Sequence, residues 1–125
     1  MNLLQLTSGD YSDFGNVALL QRAEPFDTDE LERLYAEFKK EHKRRSEAYR
    51  EGLRRAREAA AGGPCPDAGS DPKGWRSWFH RSVDAARAYS ASNQFDYMET
   101  SAFVDEVLIG RLGFERVAYD TLHLS

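Results

Sequence analysis

The 125 residues carry 17 Lys and Arg against 21 Asp and Glu, a formal net charge of −4, which argues against bulk attraction to nucleic acid or to an anionic membrane. A single cysteine, Cys65, excludes an intrachain disulfide and fits a reducing cytosol. No apolar run nears the roughly 18–20 residues of a membrane span, and the opening Met1-Asn2-Leu3-Leu4-Gln5-Leu6 lacks the basic region and long apolar stretch of a signal peptide, so a cytoplasmic location is expected.

In chain order, Leu-Leu-Gln-Leu-Thr at 3–7 and Val-Ala-Leu-Leu-Gln-Arg at 17–22 are short apolar runs. The linker between them, Ser8 to Asn16, holds two glycines and two aspartates, so the pattern predicts a β-hairpin with a long loop. After Pro25, Asp27-Thr28-Asp29-Glu30 is a helix start resembling a capping box, with acids at the positive end of the helix dipole. Leu31, Leu34, Tyr35, Phe38 and His42 continue at helical spacing. A helix is expected over Thr28 to Ala61, with Ser46 or Gly52 as places for a break.

Residues 62–72 contain three prolines and three glycines and predict a flexible loop over 62–71. Asp71 and Pro72 then open a second helix. Its face of Trp75, Trp78, Phe79, Ser82, Val83, Ala86 and Tyr89 is the strongest amphipathic signal, so a core centred on Trp78 and Phe79 is expected. A last helix capped by Ser101 is expected to bury Phe103, Val104, Val107, Leu108 and Leu112. Gly113 is placed to end it in the left-handed conformation, and Phe114 to Leu124 reads as a C-terminal strand. The fold class expected is α+β: one domain of residues 1–125, with an antiparallel sheet of about three strands covered by three or four helices.

The stretch Leu6-Thr7-Ser8-Gly9-Asp10-Tyr11-Ser12-Asp13-Phe14 resembles the opening of certain small uncharacterised bacterial and phage proteins. Those proteins run from a strand through a Gly-x-Tyr-Ser-Asp-Tyr/Phe element into a second strand, and Gly9, Tyr11, Ser12, Asp13 and Phe14 match. The resemblance implies a small accessory protein of phage or bacterial origin, and it brings no functional residue with it. Leu108 to Glu115 is similar to the closing helix–Leu-Gly-Phe–strand of acyl-CoA acetyltransferases. The glycine-rich pyrophosphate loop those enzymes need has no counterpart here.

Among chemistry-bearing residues, His42, His80 and His123 stand far apart and form no zinc-ligand spacing. Cys65 lies between two prolines with no basic partner to activate it. No metal and no cofactor is expected. The loop 9–16 offers Asp10, Tyr11, Asp13 and Phe14 as interaction candidates, or as turn formers and lids on the core. The segment 39–57 holds nine cations against Glu41, Glu47 and Glu51, and Lys43, Arg44, Arg45, Arg54 and Arg55 are its interaction candidates. Three readings of that segment stay open: a solvated face with i,i+4 pairs of Glu47 and Glu51 against Arg50, Arg54 and Arg55, a surface for an acidic protein, or a phosphate-binding helix. The reading adopted is a non-enzymatic protein-binding or regulatory module. A nucleic-acid-associated protein and a small enzyme using the loop aspartates with His80 or His123 are the alternatives.

Overall fold

The computed structural model describes residues 1–8, 15–120, 122 and 124. They form two compact units, Met1–Lys40 with Asp96–Ser125, and Glu41–Phe95.

The first unit is the α+β part. Strands β1 (Asn2–Ser8) and β2 (Gly15–Arg22) pair antiparallel, and β3 (Glu115–Arg116) pairs antiparallel with β2, giving the order β1-β2-β3. Leu4 pairs with Leu20 and Leu6 with Ala18, so the two-residue period of each strand puts these four side chains on one face. Ala18 and Leu20 are buried there with Leu31 and Phe38 of helix α1 (Thr28–Ala61). A short helix α3 (Glu99–Phe103) runs into a π-helical segment (Val104–Ile109), and the two add Ala102, Phe103, Val104, Val107 and Leu108 to the same core. The aspartate start of α1 works as expected: Asp27 accepts the Asp29 N–H at 2.9 Å. Gly113 has φ +76°, a conformation glycine adopts without a Cβ penalty. The turn it makes lets the Phe114 N–H reach the Leu108 carbonyl at 3.0 Å and drops Phe114 into the core. Arg22 fastens this junction, donating to the carbonyls of Leu112, Pro25 and Glu24 while its guanidinium lies 4.8 Å from the Phe114 ring centre.

The second unit is a helical hairpin made by the rest of α1 and by α2 (Pro72–Ser92). Asp71 caps α2 by accepting the Gly74 N–H at 3.0 Å, with Pro72 in the first turn. The linker 62–71 is largely exposed and is tied to α2 by the Trp78 indole N–H, which donates to the Gly63 carbonyl at 2.8 Å. Inside the hairpin, the rings of Tyr49 and Tyr89 lie 5.2 Å apart, the Tyr49 hydroxyl meets the Ser90 hydroxyl at 2.8 Å, and Arg57 donates to the buried Ser82 hydroxyl at 3.1 Å.

Four expectations need correction. The main core is centred on Phe114, Leu20, Leu108 and Val104, not on Trp78 and Phe79; Trp78 is 6% exposed but Phe79 is 37% exposed, because two helices can cover only the seam between them. Helix α1 runs unbroken through Ser46 and Gly52. Gly52 is where the Tyr89 ring rests: a Cβ there would lie 2.1 Å from the Tyr89 hydroxyl. Ser101 lies inside α3, whose start at Met98 has no side-chain cap. The C-terminal strand is two residues long; after the Val117 N–H donates to the Leu19 carbonyl, residues 118–120 leave the sheet.

Candidate functional site

The candidates Asp10, Tyr11, Asp13 and Phe14 lie outside the described residues, as does His123. His42 is buried and stacked on Phe95, and His80 is exposed. Among the described residues no group of His, Cys, Asp and Glu can hold a metal ion, and no helix is long and apolar enough to cross a membrane.

The cationic candidates are engaged along their own helix. Arg44 grips both oxygens of Glu41, at 2.6 and 3.1 Å, and Arg45 reaches the same carboxylate at 3.4 Å. Arg54 forks onto Glu51 and reaches Glu58 at 2.6 Å, and Arg55 meets Glu51 at 3.1 Å. The hydrogen bonds from Arg44 and Arg54 hold the Glu41 and Glu51 carboxyls below their ordinary value. Both guanidinium groups are in turn raised above theirs. Glu41 and Glu51, each three and four residues before its arginines, make the pairs the spacing allows. Lys43 is exposed. Four of the five cationic candidates are thus paired with carboxylates of their own helix.

The unexplained feature of the second unit lies beside those pairs. Trp75 and Phe79, one helical turn apart on α2, stack with ring centres 5.5 Å apart and remain 36% and 37% exposed. Arg57 lies over Trp78 at 4.7 Å and over Phe79 at 5.1 Å. Two open depressions of about 350 Å³ each meet at Leu53, Arg57 and Phe79. One continues past Trp75 and Trp78 toward Cys65, and the other past Val83 and Ala86 to Ser90. Arg50, Arg54, Arg57 and Arg87 rim them. The result is an aliphatic and aromatic floor with cationic walls. Helical spacing alone groups this face with the core. The usable signal was its width: Trp75, Trp78, Phe79, Ser82, Val83, Ala86 and Tyr89 spread over more of the helix than one partner helix can cover.

The first unit has a cleft of about 260 Å³ above its core, floored by Leu4, Leu6, Leu31, Phe103 and Leu108 and edged by Thr28, Glu32 and Thr100. At its mouth the Tyr35 hydroxyl donates to Glu99 at 2.9 Å, and burial raises the Tyr35 pKa. The Tyr35 hydroxyl also lies 3.4 Å from the Thr100 hydroxyl. No family model matches the chain, and neither curated proteins nor solved structures yield a match.

Proposed function

We propose that this chain is a non-enzymatic protein-binding module, an accessory or inhibitory factor of the kind its N-terminal resemblance implies, and that the helical hairpin carries the binding face. The observation behind this reading is the Trp75–Phe79 pair left exposed above an apolar groove. A contiguous apolar patch rimmed by polar groups is what proteins keep for partners, and tryptophan and arginine dominate the energetics of such contacts. Cys65, exposed and outside any disulfide, suits a cytoplasmic setting.

Immobilised chain incubated with nuclease-treated bacterial lysate tests the proposal. The expected outcome is one or more proteins retained by the native chain and lost from a Trp75→Ser, Phe79→Ser double variant with unchanged helix content. Equal retention by both, or recovery of nucleic acid alone when nuclease is omitted, would overturn it.

A further inference from the structure

We infer that the segment received by the hairpin groove is an acidic amphipathic helix of the partner protein. This rests on the protein-binding reading above and adds the partner's chemistry.

Shape comes first. The groove follows the seam between the two helices, with Arg50, Leu53 and Arg57 along one wall and Trp75, Phe79 and Ala86 along the other. From Trp75 to Ser90 at the far end is fifteen residues of α2, about 22 Å at 1.5 Å per residue. That length accepts about four turns of a docked helix.

The backbone decides between helix and strand. Both walls belong to helices, whose own N–H and C=O groups are bonded within the helix, so the groove offers no sheet edge for an extended segment to join. A strand laid there would bury unpaired backbone groups, whereas a helix brings its backbone already satisfied. Leu53, Phe79, Val83 and Ala86 are a floor for side chains spaced i, i+3 or i+4, and i+7 on such a helix.

Charge supplies the sign. Among the described lining residues of the two depressions there is no Asp or Glu, while Arg50, Arg54, Arg57 and Arg87 are present; Arg54 is shared with Glu51 and Glu58, and Arg87 lies 3.8 Å from Asp84. The residues of this unit, 41–95, hold eleven Lys and Arg against seven Asp and Glu, a net +4, and those of the other unit hold six against fourteen, a net −8. Carboxylates flanking the apolar stripe of an incoming helix meet these arginines, and like-charged segments are repelled. A phosphate chain fits less well. It would leave the apolar floor of Leu53, Phe79, Val83 and Ala86 uncovered, and Trp75 and Phe79 already use one ring face each on each other.

The test uses the full chain and labelled probes of matched length. These are an acidic amphipathic peptide of about 18 residues, a scramble of it, its lysine-for-glutamate counterpart, and a single-stranded oligonucleotide. Binding is followed by anisotropy and by indole fluorescence. The acidic amphipathic peptide should bind about ten-fold or more tighter than the other three, as a matched stripe with matched rim charge requires. Phe79→Ser should weaken it by a similar factor, with helix content checked by circular dichroism. The surface pair Arg50→Glu, Arg87→Glu should weaken the acidic peptide and strengthen the basic one. Equal binding of the scrambled or basic peptide, or no saturation by the acidic peptide up to about 1 mM, would overturn the helix assignment and leave the protein-binding reading standing. Tighter binding of the oligonucleotide than of any peptide would overturn both.

Discussion

Phe114 shows how much one side chain can hold in a chain of this size. It is 1% exposed, its ring centre lies 5.3 Å from that of Phe26, and Arg22 reaches over it to tie the preceding turn at Leu112 and Gly113 to the end of β2. Phe114→Ala is expected to cost about 3–5 kcal/mol, the sum of lost transfer energy and of a cavity the sheet cannot close. Phe79→Ala, on a half-covered ring, should cost clearly less; urea unfolding of the two variants gives the comparison directly. Gly52 poses the opposite test. Alanine in a helix interior is normally favoured over glycine by about 1 kcal/mol. Here its methyl group would fall 2.1 Å from the Tyr89 hydroxyl and 2.7 Å from the ring carbon bearing it. Gly52→Ala should therefore lower the melting temperature. Made in a Tyr89→Ala background, the same change should become stabilising, and additive effects in that double-mutant cycle would show that the ring does not occupy the space.

At the scale of elements, the pairs along α1 make the helix sensitive to acid. Glu41 and Glu51 have folded pKa values below the ordinary 4.5. A depressed carboxyl contributes stability that is fully present above its unfolded value and lost as pH falls through the folded one. Helix content at 222 nm should therefore hold above about pH 4.5 and decline below it. Glu41→Gln, Glu51→Gln should flatten that decline, and an unchanged acid limb would mean the pairs carry none of it. Much of this element was legible in advance: the hairpin strands, the aspartate cap and bounds of α1, the Asp71–Pro72 start of α2, the buried stripe Phe103 to Leu108 and the turn at Gly113 all follow from periodicity and local backbone chemistry. What sequence could not carry was coverage. Helical spacing groups Trp75 and Phe79 with Trp78 on one face, yet only packing decides which of them meets α1. The apolar residues Phe114, Val117 and Tyr119 suggest a long last strand, but pairing requires a neighbour, and β2 offers one only to Glu115 and Arg116, with a final hydrogen bond to Val117.

For the whole molecule, the distribution of charge separates the competing functions more sharply than its total. A helix with nine cations over 39–57 invites a phosphate-binding reading. Four of its six arginines, however, are answered in place: Arg44 and Arg45 by Glu41, Arg54 and Arg55 by Glu51, and Arg54 again by Glu58. Binding a nucleic acid there would require those carboxylates to stay beside incoming phosphates, or the arginines to leave them. The residues outside 39–57, with a net −10, would add repulsion at low salt. Counterion release rewards only the phosphates that are newly neutralised, so few net contacts give a shallow dependence of affinity on salt. Random single- and double-stranded oligonucleotides are therefore expected to give no gel shift at micromolar protein and about 150 mM salt. Replacing Arg44, Arg45, Arg54 and Arg55 together by Gln should leave that result unchanged. Micromolar binding that vanishes in the Gln variant, with a steep salt slope in the native chain, would mean that the pairs open for phosphate and would make nucleic acid the partner.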